Sequence, residues 1–298
     1  MLEFVPIQWK VVLNYMKRFY RMVQADIRQG ILSAYLKYMM VLIVSIVFTQ
    51  NYYVKVENYI LQGKVAGKVR ILDLLIYFFK GMKEYIPASN RPFEIPVDFL
   101  LLNMLLAFII GNYPMKDMNG YGRSILVRSD TRMSWWFSKC IWNVLSVLTY
   151  YATIYIGIIV MYVVHGGLSN GIKFVLNPDL LRTIFGTDLS DVNNSILIIT
   201  IVILPIMTSI AISILQMTLA FYLNPIVSYI IVIAIYIFSA FYMKWFMIGN
   251  YLMMYRTDFI NPNGMHLGKA LVVNVCIIII SILTGYLYFR RHDVLDKN

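Results

Sequence analysis

Long apolar segments dominate this sequence and decide what the chain can fold into. A helix needs about 20 residues to cross the ~30 Å hydrocarbon core of a bilayer. Only 14% of the residues are charged and the mean hydropathy is +0.68, so the chain lacks the polar residues that a soluble surface requires. The sequence therefore predicts an all-α, polytopic membrane protein with six transmembrane helices. The predicted spans are 38–54, 97–113, 140–164, 195–223, 226–246 and 270–289.

Two prolines shape the longest apolar stretch, residues 195–246. Asn224 and Pro225 divide it into two helices joined by a tight turn, because one helix of that length would far exceed a single crossing. Pro205 lies inside the first of these helices and predicts a kink there.

The distribution of basic residues predicts the orientation. With the N-terminus in the cytoplasm, residues 1–33, 114–138 and 290–298 carry twelve Lys and Arg, and the longer segments on the other side carry eleven. The denser positive charge favours the cytoplasm. We therefore expect a plasma-membrane protein with both termini cytoplasmic. The net charge of +11 is attributed to orientation and to anionic lipid, and nucleic-acid binding is not expected.

Residues 1–33 are predicted to form a separate cytoplasmic unit ahead of the six-span domain, residues 34–298. The apolar residues recur at helical spacing, which places on one face Val12, Met16, Phe19, Val23 and Ile27. Lys17, Arg18 and Arg21 fall mostly on other faces. This pattern predicts an amphipathic helix in the membrane interface, and a simple charged anchor before the first span is the alternative.

The sequence shows no pattern typical of an enzyme. Its three histidines lie in separate loops or the tail, without the spacing of a metal site. Gly63, Gly67 and Lys68 do not form a phosphate-binding loop, because the glycine spacing is one residue short and Val69 replaces Ser or Thr. We expect no catalytic residue, no metal and no cofactor on this chain.

The apolar spans carry no charged residue near their centres, which disfavours an ion-coupled carrier. Their deeper polar residues are Asn103, Asn143, Gln216 and Asn274. These are expected to form hydrogen bonds between helices rather than a substrate site.

The loop between the second and third spans is the most individual stretch of the sequence. It reads Gly120-Tyr-Gly-Arg-Ser-Ile-Leu-Val-Arg-Ser, followed by Arg132 and by Trp135-Trp-Phe-Ser-Lys139. Residues 124–128 are predicted to form a short cytoplasmic helix. With arginines around it, this helix is suited to docking a soluble partner, and an ordinary basic loop is the alternative.

In this loop, in its overall layout and in its tail, Phe289-Arg-Arg-His-Asp-Val-Leu, the chain resembles a known family. It is similar to the transmembrane (permease) subunits of type-two ABC exporters, which are related in fold to the ABCG transporters. The loop is most similar to that of small bacterial permeases tied to peptide export or antimicrobial-peptide immunity. The large loop 55–96 departs from the family's minimal pattern.

The resemblance implies roles for two cytoplasmic elements. Residues 120–128 would be the coupling helix that docks an ABC ATPase, with contacts from Tyr121, Arg123, Ser124 and Arg128. The N-terminal helix, with Lys17, Arg18 and Arg21, would be the connecting helix that carries the ATPase motion to the spans.

The resemblance also implies partners and a transport pathway. A separate subunit would bind ATP and Mg²⁺, and a second permease copy or a homologous permease would complete the pathway. Spans two and five would line this pathway, with Asn103, Met104, Phe108 and Phe238, for a peptide or other amphipathic cargo. An ABC-associated accessory or sensor subunit, or a non-ABC membrane assembly protein, remains the alternative.

Overall fold

The computed structural model describes residues 7–65, 68–85, 95–120, 122, 132–167, 176–186 and 194–291. Within these ranges the chain is helical and forms no strand. Five helical stretches are long and apolar enough to cross a membrane: Tyr15–Leu61, Val97–Asn119, Arg132–Val164, Ser195–Tyr222 and Leu267–Arg290. The prediction of an all-α protein with several membrane-length helices is thus confirmed.

The helices fall on the predicted spans and extend several of them. In chain order they are α1 Ile7–Asp26, α2 Tyr35–Leu61, α3 Ile71–Phe78, α4 Val97–Gly111, α5 Tyr113–Asn119, α6 Arg132–Val164, α7 Pro178–Phe185, α8 Asn194–Ile198, α9 Leu204–Tyr222, α10 Pro225–Phe241 and α11 Leu267–Arg291.

Helix α10 is shorter than the predicted span 226–246, because it ends at Phe241 and has 17 residues. The side-chain amide of Asn250 donates hydrogen bonds of 3.0 Å to the backbone oxygens of Tyr242 and Lys244. These bonds hold the chain in a turn just past the helix, where Tyr242 is already extended.

Helices α1 and α2 are joined without a loop. A π-helical turn, Ile27–Ile31, and a 3-10 turn, Leu32–Ala34, carry the helical path from one to the other. A second π-helical turn, Ile199–Ile203, joins α8 to α9 immediately before Pro205. A wide turn tolerates a proline that follows it, because proline lacks the N–H and crowds the preceding turn.

Helix α6 lies at the centre of the bundle and runs parallel to α2. Near the middle of α2, Ser45 lies so close to Gly157 of α6 that a side chain on the glycine would overlap the serine hydroxyl. Further along both helices, the ring of Tyr53 stacks on His165 with the centroids 3.8 Å apart. Because α2 and α6 run in the same direction, the bundle has two distinct ends. Both helices begin at one end, which we call the α5 end, and both finish at the other, which we call the α3 end.

Polar side chains join the helices as predicted. Asn143 of α6 accepts a hydrogen bond of 2.6 Å from Ser213 of α9. Gln216 donates to a backbone oxygen of α4, and Asn274 of α11 donates to Thr208 of α9. Asn103 behaves differently, since its amide donates to the Phe99 oxygen within its own helix.

The short apolar segments pack into the α3 end of the bundle. All eight residues of α3 are buried, so this short apolar helix packs inside the bundle rather than lying on its surface. Two 3-10 turns, Ile248–Leu252 and Met254–Arg256, are also largely buried. The second donates backbone hydrogen bonds from Met254 and Tyr255 to the chain just after α3.

Candidate functional site

A buried lysine at the α5 end joins three separate elements. Lys139, in the second turn of α6, is only 1% exposed. Its ammonium group lies 2.7 Å from the Oδ2 atom of Asp117, on α5, and also pairs with the carboxylate of Asp26, at the end of α1. One cation therefore ties the N-terminal helix, α5 and the start of α6 together.

Neutral donors complete the pairing of these charges. The Tyr113 hydroxyl donates to Asp26 over 2.9 Å, and the Ser138 hydroxyl donates to the second oxygen of the same carboxylate. The Trp135 indole donates to Asp117 over 3.0 Å. The six residues concerned, which we call the Lys139 cluster, are Asp26, Tyr113, Asp117, Trp135, Ser138 and Lys139. Burial of three charges is tolerated only when each is paired and hydrogen-bonded, and that condition is met here.

Two aromatic rings flank the ammonium group. The ring centroids of Tyr113 and Trp135 lie 4.8 and 5.1 Å from the Lys139 nitrogen. Both rings therefore stabilise the cation and also exclude water from it. The cluster is consequently a rigid polar joint rather than a solvated surface ion pair.

Asp117 also organises the chain that follows α5. Gly122 lies directly against this carboxylate, and a side chain at position 122 would overlap it. Helix α6 begins at Arg132, and Trp135 binds the same carboxylate within the first turn of this helix. Both flanks of the segment 123–131 are thus held at Asp117.

Close packing brings the junction of α1 and α2 to this cluster. Gly30, in the π-helical turn, lies against the indole of Trp142 and the ring of Tyr113. The two rings contact each other with centroids 4.5 Å apart. Gly30 thus permits the junction of α1 and α2 to approach α5 and α6 closely.

The predicted docking residues Tyr121, Arg123, Ser124 and Arg128 lie outside the described residues. The three basic residues predicted on the connecting helix, Lys17, Arg18 and Arg21, are exposed on α1. Helix α1 itself packs against α6.

The four residues predicted to line a pathway are not brought together within one chain. Asn103 is buried and lines a cavity at the α3 end, whereas Met104 is half-buried and its backbone oxygen faces Tyr229 of α10. Phe108 and Phe238 lie on the surface of the bundle, 46% and 52% exposed.

The cavity that Asn103 lines has a volume of about 600 Å³. It lies among α2, α3, α4 and α6, and residues 81–85 border it. Among the residues that the structure describes, no group of three or more His, Cys, Asp or Glu is placed to hold a metal ion.

Sequence reasoning missed the Lys139 cluster. A signal was present, since the only acids among residues 1–56 are Glu3 and Asp26, and Asp117 is the only acid between Asp98 and Asp130. Isolated acids in two basic segments suggest partners for a lysine that borders a span. Pairing them with Lys139 requires the fold, because the three residues are far apart in sequence.

These features define an all-helical membrane protein with a buried ionic joint at one end of its bundle and a cavity at the other. Residues 74–295 match a family described as a protein of unknown function, DUF2705, and the chain belongs to this family. No curated protein and no solved structure matches the chain.

Proposed function

We propose that the chain is the permease subunit of an ABC exporter in the plasma membrane. It crosses the membrane six times, with α10 as the fifth crossing and the α5 end in the cytoplasm. The observation that carries the proposal is the Lys139 cluster, which joins the N-terminal helix to the flanks of the segment predicted to dock an ATPase. An exporter needs such a joint, because motion of the ATPase must reach the spans from the cytoplasmic surface.

The physical basis of this joint is its resistance to separation. Breaking one partner out of a buried ion pair costs roughly 3–5 kcal/mol. A displacement of the docking segment therefore moves α1 and the start of α6 with it instead of stretching the contacts between them. In this proposal ATP and Mg²⁺ bind to the separate ATPase subunit, and the present chain carries no catalytic residue or cofactor.

Helix α1 is proposed to lie in the cytoplasmic interface as an amphipathic connecting helix. Its basic residues Lys17, Arg18 and Arg21 are exposed, as are the large apolar side chains of Tyr15 and Met16. Exposed lysine and arginine beside exposed apolar side chains favour contact with an anionic leaflet.

A second permease copy is proposed to meet this one along α4 and α10. The two helices pack together, with the rings of Phe99 and Tyr236 in contact at 6.2 Å, and they expose Phe108 and Phe238 on the surface of the bundle. Two such faces would enclose an apolar pathway suited to an amphipathic peptide rather than to a sugar or an ion.

This pairing is tested by cross-linking in membranes with a bis-maleimide. A Phe238→Cys variant that also carries Cys276→Ser should form a covalent dimer. The unaltered chain is the matched control, because its native Cys276 is exposed on α11, away from the proposed interface. A dimer through Cys276 but none through position 238 would contradict this arrangement.

The proposed class is tested by copurification in mild detergent through a C-terminal tag, with partners identified by mass spectrometry. We expect a stoichiometric ATPase with the unaltered chain and its loss with Arg123→Glu/Arg128→Glu. The matched control is Lys64→Glu/Lys269→Glu, which makes the same charge change at exposed positions of the α3 end.

Each result has a distinct meaning. An ATPase that remains bound to the arginine variant would place the docking contact elsewhere on the chain. An intact permease complex without any ATPase would refute the exporter proposal.

A further inference from the structure

Two cavities meet at the α3 end of the bundle. The larger, of about 600 Å³, lies inside the bundle, and the smaller, of about 220 Å³, lies beside α2. Lys55 and Asp98 line both, so the two cavities are neighbours on either side of these side chains. The larger one falls in the volume range of small-molecule binding sites.

Two lysines converge where the cavities meet. The Lys55 ammonium donates a hydrogen bond of 2.8 Å to the hydroxyl of Tyr77. The Lys80 ammonium lies over the same ring, 3.7 Å from its centroid, and 3.9 Å from a carboxylate oxygen of Asp98. Two cations thus share one phenol ring and a single, loosely placed carboxylate, which leaves them able to bind a further anion.

The same excess of positive charge extends along the larger cavity. Lys83 also lines it, with its ammonium 5.1 Å from the ring centroid of Tyr255. Among the described lining residues, three lysines stand against two acids, Glu84 and Asp98. Electrostatically, the cavity therefore favours an anionic group.

The smaller cavity opens on the exposed side of α2, and its lining combines polar side chains, among them Asn51, with apolar ones. Phe48 and Val54 line it, and Val54 is 47% exposed on α2. Lys55 directly follows the predicted span 38–54. A lysine at the end of a span extends its ammonium group to the headgroup level of a bilayer.

We propose that the two cavities together bind one anionic amphiphile. Its phosphate or carboxylate group lies between Lys55 and Lys80, and an acyl chain occupies the groove beside Phe48 and Val54. Entry is lateral, from the membrane along α2, because the groove opens on that side. The inference rests on the cavities alone and requires no ATPase, so its test is independent of the copurification experiment.

The test measures lipid binding to the purified, delipidated full-length chain in detergent by native mass spectrometry. The probe is phosphatidylglycerol. Glycerol 3-phosphate supplies the phosphate without acyl chains, and diacylglycerol supplies the chains without the phosphate. We expect phosphatidylglycerol to bind at least about tenfold more tightly than either fragment. Glycerol 3-phosphate lacks the contacts of the acyl chains, and diacylglycerol lacks the contacts of the phosphate.

Substitutions locate the site. Lys55→Gln/Lys80→Gln should weaken phosphatidylglycerol binding about tenfold, by loss of the charge-assisted contacts. Lys64→Gln/Lys269→Gln is the matched control and should bind as the unaltered chain does. Val54→Trp keeps both lysines and fills the groove from an exposed position, so it should weaken binding without affecting the fold.

Three results would overturn the proposal. Undiminished phosphatidylglycerol binding by both the Lys55→Gln/Lys80→Gln and the Val54→Trp variants would place the lipid elsewhere. Equal affinity for glycerol 3-phosphate would make the site one for a soluble anion. Equal affinity for diacylglycerol would show that the lysines do not select the ligand.

Discussion

Replacing Lys139 by methionine tests whether the Lys139 cluster holds the α5 end together. Methionine has a similar length and no charge, so the substitution removes the cation and leaves Asp26 and Asp117 buried side by side. Both carboxylates contact the same ammonium group, and Asp117 lies 2.7 Å from it. The variant therefore brings two unneutralised negative charges together away from water.

The magnitude follows from the burial of the cluster. Leaving the partner of a buried ion pair uncompensated costs about 3–5 kcal/mol. The two carboxylates would lie about 5 Å apart, which adds a repulsion of about 3 kcal/mol at an effective dielectric constant of ~20. Protonation or local rearrangement relieves part of this repulsion, so we expect a net loss of about 3–5 kcal/mol. At about 2 °C per kcal/mol, the apparent Tm should fall by roughly 6–10 °C.

The acidic partners should respond very differently. Asp26→Asn and Asp117→Asn each leave one lysine with one carboxylate, a balanced pair that loses a single charge-assisted hydrogen bond. We expect a cost of about 1–3 kcal/mol for either substitution. The order of stability is therefore unaltered chain, then either asparagine variant, then Lys139→Met.

The triple variant Asp26→Asn/Asp117→Asn/Lys139→Met separates charge balance from packing. It has no charge left in the cluster, and a neutral replacement of a buried ionic group is often tolerated. It should recover at least half of the Tm lost by Lys139→Met, as measured by intrinsic tryptophan fluorescence on heating. A Lys139→Met chain that melts with the unaltered protein, or a triple variant no more stable than Lys139→Met, would refute the reasoning.

Two further predictions concern other contacts. Gly285→Ala should lower the apparent Tm, because the added methyl group would overlap the ring of Trp136, whereas Gly268→Ala, in open space on the same helix, should not. Burial raises the pKa of Asp73 to about 6, despite the hydrogen bond that its carboxylate accepts from the backbone of Asn177. The folded state then binds a proton that the unfolded chain releases near pH 3.8, so stability should fall as the pH rises from about 4 to about 6, by at most ~3 kcal/mol. Asp73→Asn should abolish this part of the pH dependence of the Tm, and an unchanged pH profile would contradict the assignment.

The membrane helices were predictable because apolar length is a local property of the sequence. The turn at Asn224 and Pro225 follows from residue type in the same way, and α10 begins at Pro225 as expected. The end of α10 was not predictable, since it depends on Asn250, which reaches back from the following 3-10 turn to the backbone at Tyr242 and Lys244. A pattern of apolar residues does not report such a contact.

The candidate sites depend on pairings over long sequence distances and were mostly beyond sequence reasoning. Lys139 directly precedes the predicted span 140–164 in the sequence, but its partners Asp26 and Asp117 lie on two other elements. The cavity likewise requires Lys55 and Lys80 to meet at Tyr77, and only the packing of α3 into the bundle brings them there. The spacing of apolar residues shows which face of a helix is apolar. It does not show which helices pack against one another.

Helix α6 connects the two ends of the bundle physically. Lys139 lies in its second turn, and Tyr150 lines the larger cavity and donates a hydrogen bond of 2.6 Å to the backbone of Leu102 on α4. The two residues are eleven positions, or about 16 Å, apart on one uninterrupted helix, and they point to nearly the same side because eleven residues make about three turns. Asn143, between them on this side, is bonded to Ser213 of α9. A shift of α6 at the Lys139 cluster therefore changes its contact with α9 at Ser213 and its contact with α4 at the cavity, since a continuous helix moves as a unit.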